Sequence, residues 1–125
     1  MLADAHLIGF VPSTDLARSR AFYVGVLGLA EHGTKPYACV LSAAGVQVRI
    51  TLVEQLQPQP FTILGWQVPD AGDTVRALDR AGVRVVRYGA MEQDADGIWT
   101  TPAGDRVAWF RDPDGNTLSV TEFRS

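Results

Sequence analysis

The chain has 125 residues, a formal net charge of −3, 46% hydrophobic residues and 20% charged residues. That is one compact domain of ordinary soluble composition. It excludes a phosphate-tracking surface, because no basic run is present, and a membrane span, because no apolar run approaches the roughly 20 residues a bilayer requires. The opening Met1-Leu2-Ala3-Asp4 lacks the basic and apolar regions of a signal peptide. Cys39, the only cysteine, lies in the strand-like run Tyr37-Ala38-Cys39-Val40-Leu41 and reads as a buried, inert thiol. A reduced, cytoplasmic setting is expected, with no nucleic-acid and no membrane partner.

In chain order, His6 to Val11 alternates as a first strand, with His6, Ile8 and Phe10 on one face, and Pro12 ends it. Ser13, Thr14 or Asp15 can cap a helix whose apolar stripe is Leu16, Phe22, Tyr23, Val26 and Leu27, stopped by Gly28. Leu29 to Gly33 and Tyr37 to Ser42 are short strands, and Ala43-Ala44-Gly45 is a turn. Val46 to Val53 sets Val46, Val48, Ile50 and Leu52 against Gln47, Arg49, Thr51 and Val53. A connector rich in proline and glutamine, residues 55–60, follows. The pattern then restarts. Phe61 to Val68 is a strand, Asp70 or Asp73 caps a helix carrying Ala71, Val75 and Leu78, and Gly82 stops it. Val83 to Tyr88 reads as a strand and residues 89–97 as an acidic loop, either a rim or lid over a cavity or a solvated connector. Ile98 to Thr101 and Arg106 to Arg111 are strands. The turn Asp112-Pro113-Asp114-Gly115 leads into Thr117 to Thr121, where Leu118 and Val120 alternate with hydroxyl residues.

The order strand, helix, strands therefore occurs twice, with three strands read after the first helix and four after the second. The expected architecture is α+β. One domain, 1–125, would hold two tandem βαβββ modules, about 5–54 and 61–123, forming a curved mixed sheet around a cavity with the helices outside.

This order, with Asp15-Leu16-Ala17-Arg18-Ser19-Arg20-Ala21-Phe22-Tyr23 running into Val26-Leu27-Gly28-Leu29 and the closing Asp112-Pro113-Asp114-Gly115-Asn116, resembles the vicinal oxygen chelate superfamily. Glyoxalase I, extradiol dioxygenases, fosfomycin resistance enzymes and bleomycin resistance proteins are members. The resemblance implies a fold and not one activity, because the fold hosts lyases, transferases, oxygenases and binders. It also implies two-fold dimers. In metal-using members, His, Gln or Glu ligands come from the first and last strand of each module. Carried over by position, those sites fall on Ile8, Arg49, Ile63 and Ser119. None suits a divalent ion, and an arginine repels one. The expectation is therefore no metal and no cofactor. His6, at a strand end, Glu54 and Glu122 do not complete a ligand set, and His32 reads as solvent-facing.

The expected wall of the cavity is Ile8, Phe10, Gln47, Arg49, Thr51, Ile63, Gly65, Gln67, Thr117, Ser119 and Thr121, with Trp99 and Trp109 as further ligand-binding candidates. Arg49 stands out as a fork for an anionic group, with a paired surface arginine as the alternative. Trp66 shares the parity of Leu64 and Val68 and reads as core. No nucleophile–base pair is expected on this face, and no catalytic residue is assigned. The reading is a metal-independent homodimer that binds a small organic, possibly anionic ligand. The alternative is a metal-free isomerase, lyase or hydrolase acting on a small metabolite.

Overall fold

The computed structural model describes residues 1–125. The chain forms two compact units, residues 1–57 and 58–125, and the division falls inside the connector. The first unit runs β1 (Ile8–Ser13), α1 (Leu16–Arg20), a π-helical turn (Ala21–Val26), β2 (Ala30–Lys35), β3 (Ala38–Ala43) and β4 (Val46–Leu52). The second runs β5 (Thr62–Gln67), α2 (Ala71–Arg80), β6 (Trp99–Thr100), β7 (Arg106–Arg111) and β8 (Thr117–Glu122). Each unit holds one four-stranded sheet, ordered β1-β4-β3-β2 in the first and β5-β8-β7-β6 in the second. In both, the first strand runs parallel to the last and the remaining pairs are antiparallel. The expected βαβββ repeat is present in order, topology and pairing sense.

Each helix begins and ends as its sequence dictates. The Asp15 side chain accepts the Arg18 backbone N–H, and Asp70 accepts that of Asp73, satisfying donors that lack a helical partner. Past α2, Gly82 takes φ +85°, and the Gly82 and Val83 N–H groups donate to the Asp79 and Leu78 carbonyls. This paired closure needs a left-handed residue. Gly28, at φ +80°, does the same service after the π-helical turn, where Leu29 donates to Tyr23. The wider turn brings Tyr23 to full burial and sets its ring edge-on to Phe22 at 5.3 Å.

Helix α1 packs on β3 and β4, and α2 packs on β7 and β8. The residues turned toward the helices are the core: Val11, Cys39, Leu41, Val48 and Ile50 in the first unit, and Ala108, Phe110, Leu118 and Val120 in the second. Trp66 stacks on Phe110 at 6.1 Å, so it belongs to this layer. Burial pushes the Cys39 thiol up, away from the reactive thiolate. No helix is long and apolar enough to cross a membrane.

Two local expectations are corrected. Pro12 does not end β1 but lies within it, opposite Thr51. β1 is a sheet edge, and an edge tolerates a residue that cannot donate. Val83 to Tyr88 is not a strand. The Gln93 side chain accepts the Tyr88 N–H at 2.7 Å and donates to the carbonyls of Val86 and Gly97 at 2.9 and 2.8 Å. The Val86 N–H donates to the Trp109 carbonyl of β7 at 2.7 Å, so the segment keeps one bond to the sheet while the Gln93 amide serves its other side. The β6 ladder is accordingly reduced to Trp99 and Thr100.

The turn between β7 and β8 is held by one carboxylate. Asp112 is 5% exposed; its Oδ1 accepts the N–H groups of Asp114 and Asn116 and its Oδ2 accepts Asn116 Nδ2, each at 2.9 Å. Removing it strands the donors of buried Asn116 and half-buried Asp114. Asp112→Ala should lower stability by about 2–4 kcal/mol, read as a shifted urea midpoint at constant m; an unchanged midpoint would contradict this role.

Candidate functional site

The faces of the sheets turned away from the helices carry the polar side chains. In the first unit the ladder sets Ile8 against Gln47, Phe10 against Arg49 and Pro12 against Thr51. On the other side of β4, Gln47 faces Ser42, Arg49 faces Val40 and Thr51 faces Ala38. Paired residues share a face, so Ile8, Phe10, Gln47, Arg49 and Thr51 come together as expected. Ile8 and Phe10 are 47% and 63% exposed, well above core values.

Arg49 is half-buried, and its Nε donates to Gln47 Oε1 at 3.0 Å. It makes no ion pair with any carboxylate. The bond to Gln47 leaves the terminal nitrogens of the guanidinium unclaimed, on the face it shares with the exposed Phe10. A planar fork of this kind matches a carboxylate.

His32 is the residue that sequence reasoning missed. It is exposed, as expected, but not free: its Nε2 lies 2.6 Å from Ser42 Oγ. The cause is a β-bulge. Glu31 pairs with Leu41 and Gly33 with Val40, leaving His32 as the additional residue of β2. Glu31 stays on the helix side, where Arg20 Nη2 donates to it at 2.9 Å and the guanidinium holds its carboxyl below the usual range. His32 is thereby released toward Ser42, on the face of Gln47 and Arg49. A hydroxyl and an imidazole thus come within hydrogen-bond distance on this face, a contact the sequence reading did not include. The one sequence signal was His32-Gly33 inside a strand pattern, since glycine there marks a bulge.

In the second unit, Gly65, Ser119 and Trp109 are neighbours across β5, β8 and β7, and Gln67, Thr121 and Val107 form the next row, which Trp99 extends. A Cβ on Gly65 would lie 3.0 Å from Ser119 Oγ, so glycine is what lets β5 sit against that hydroxyl. Trp109 is flanked edge-on by Tyr88 at 5.5 Å and by Trp99, tilted 30°, at 6.1 Å. The three rings form an aromatic wall beside the hydroxyls of Ser119 and Thr121. Beside it, a recess of about 340 Å³ is lined by Glu92, Gln93, Asp94, Ile98, Trp99 and Thr100. The 89–97 loop is tied down by Gln93 and by Asp94, whose Oδ1 accepts the N–H groups of Asp96 and Ile98. Thr117 is 1% exposed and its hydroxyl donates to the Gln59 carbonyl at 3.1 Å, so it anchors the connector. Ile63 is the additional residue of a bulge between Thr62 and Leu64.

The four positions that the superfamily resemblance assigns to metal ligands do not fit one. Ile8 and Ile63 offer only alkyl groups, Ser119 a neutral hydroxyl and Arg49 a cation. No group of three or more His, Cys, Asp or Glu residues gathers elsewhere in the chain. Glu122 lies on the helix-packed face, where it accepts the Ala71 N–H at 2.8 Å.

Residues 5–120 match the family model of the Glyoxalase/Bleomycin resistance protein/Dioxygenase superfamily. Among solved structures, the chain is similar to a member of that superfamily from Sphaerobacter thermophilus, at 20% identity over 98% of this chain and 100% of that one, with a TM-score of 0.75. It is similar to a bleomycin resistance determinant encoded on the transposon Tn5, at 19% identity over 96% and 98%, with a TM-score of 0.74. It is also similar to a lactoylglutathione lyase from Agrobacterium tumefaciens, at 16% identity over 95% and 93%, with a TM-score of 0.72. At such identities the likeness shows the fold alone. No curated protein matches the sequence.

Proposed function

Since the chain belongs to the Glyoxalase/Bleomycin resistance protein/Dioxygenase superfamily, we propose that it is a metal-independent member that binds a small organic anion in the cytoplasm as a homodimer. The observation that carries this reading is Arg49: a half-buried guanidinium with no carboxylate partner, oriented by Gln47 next to an exposed Phe10 ring. An ion of opposite charge completes such a site. Within the second unit, taken by itself, the wall of Trp109, Trp99 and Tyr88, bordered by Ser119, Thr121 and Gln67, has the make-up of a small-molecule surface: flat apolar area with a few fixed polar groups. Metal independence is supported by the side chains at Ile8, Arg49, Ile63 and Ser119. Self-association is supported by the exposed apolar side chains Leu7, Ile8, Phe10 and Phe61 on and beside the edge strands β1 and β5.

A thermal-shift screen of metabolites should return carboxylate-bearing aromatic compounds as stabilisers, by about 2.7 kcal/mol at a hundredfold excess over the dissociation constant. Calorimetry on the best of them should show Arg49→Ala losing about 1.5–3 kcal/mol of affinity with little change in melting temperature; equal affinity in the variant would remove Arg49 from the site. Chelation should leave both the melting temperature and the affinity where they were, and stoichiometric transition metal in untagged protein would defeat the metal-independent reading. Light scattering at micromolar concentration should give twice the chain mass, against the monomer mass if the association proposal is wrong.

A further inference from the structure

We propose that His32 and Ser42 are a nucleophile–base pair and that the first module hydrolyses small activated esters. The proposal goes beyond ligand binding and does not depend on it. Three groups meet on one face. Ser42 Oγ lies 2.6 Å from His32 Nε2, within the reach that a hydroxyl needs to hand over its proton. Ser42 is half-buried and its partner exposed, so an acyl group can approach the oxygen. Gln47 sits directly opposite Ser42 in the β3–β4 ladder. Because Arg49 Nε occupies Gln47 Oε1, the amide is turned to present its N–H₂ end as the open donor. Side chains of directly paired residues are about 4.5–5.5 Å apart at Cβ, so the Gln47 amide shares the face of Ser42 within side-chain reach of it. A preorganised N–H there is what a developing oxyanion requires.

The chemistry balances with water as the only co-reactant. With the His32 proton on Nδ1, Nε2 accepts the Ser42 proton as Oγ bonds to the acyl carbon. The carbonyl oxygen takes up the electron pair and receives the Gln47 N–H. Collapse breaks the acyl C–O bond, and the leaving alkoxide takes the proton from Nε2. Water then attacks the Ser42 ester, passes a proton to His32 and releases the acid, and the proton returns to Ser42. Glu31, the nearest carboxylate in sequence, is held by Arg20 on the other face and does not orient the imidazole. The pair is thus a dyad, suited to activated esters and not to amides. Cys39 cannot substitute as the nucleophile, being fully buried on the helix side.

The test uses the full chain with a fluorophosphonate probe and with p-nitrophenyl acetate. Intact mass followed by peptide mapping should place one phosphonyl adduct on Ser42, and Ser42→Ala should abolish both labelling and turnover. His32→Gln should keep the melting temperature and lower the labelling rate by about 100-fold, removing an ionisation from its pH profile. The absence of an adduct, an adduct on another residue, or an equal rate in a folded His32→Gln would each overturn the proposal. None of these outcomes bears on whether Arg49 binds an anion.

Discussion

The register of β4 between β1 and β3 is the constraint on which the chemistry of the first module depends. One face of β4 gives Val48 and Ile50 to the layer under α1, where both are nearly inaccessible. The other face carries Gln47, Arg49 and Thr51. A slip of one residue would exchange the two sets. It would expose two aliphatic side chains, at about 1.5–3 kcal/mol each, and bury a guanidinium with no counter-charge. No gain from a single polar contact, about 0.5–1.5 kcal/mol net, offsets that. The core therefore aims the polar residues, and β8 works the same way: Leu118 and Val120 face α2, which turns buried Ser119 and half-buried Thr121 to the opposite face.

Strict alternation can place only every second residue on the polar face. The bulge in β2 is how an additional side chain arrives there. Glu31 keeps the helix-facing parity opposite Leu41, beside Arg20, and His32 follows it onto the polar face; Gly33, opposite Val40, absorbs the backbone distortion of the bulge at φ +153°. The Arg20–Glu31 pair is solvent-exposed and adds little stability. Its consequence is geometric: it holds the strand on one side of the bulge so that His32 is presented on the other. In β5 the corresponding irregularity adds Ile63 and no polar group, and the close approach there falls to Gly65 against Ser119.

Much of this was legible in the sequence because it follows local rules. Asp15 and Asp70 as caps, Gly28 and Gly82 as stops, the period of two in β4 and β8, and the Asp112–Gly115 turn each depend on a few adjacent residues, and each appears in place. What stayed illegible depends on partners distant in sequence or on a break in period. Val83 to Tyr88 has strand composition, but Gln93 satisfies its backbone, and nothing in the segment itself announces that. The π-helical turn keeps the apolar stripe of an ordinary helix, so the stripe cannot reveal the extra residue. His32 reads as solvent-facing from its place near a strand end beside Gly33, and it is exposed; what the sequence does not show is its partner. The Ser42 contact spans ten residues and a strand reversal.

The proposed anion site is governed by how far Arg49 has left water. A fully exposed guanidinium holds an anion weakly, since screening and hydration compete with the pair. A fully buried one would demand a permanent carboxylate from the protein. Arg49 lies between these limits. Gln47 claims its Nε, Phe10 is its neighbour across the β1–β4 ladder, and its terminal nitrogens have no protein partner. A ligand carboxylate then displaces mobile water and not a protein partner, and it meets a fork whose plane is already set, so little rotamer freedom is lost on binding. Lysine at this position would keep the charge but lose the fork, and the Gln47 contact would no longer fix its direction. The geometry thus favours planar anions over spherical ones of equal charge. That preference rests on the bond between Arg49 and Gln47 more than on the charge itself.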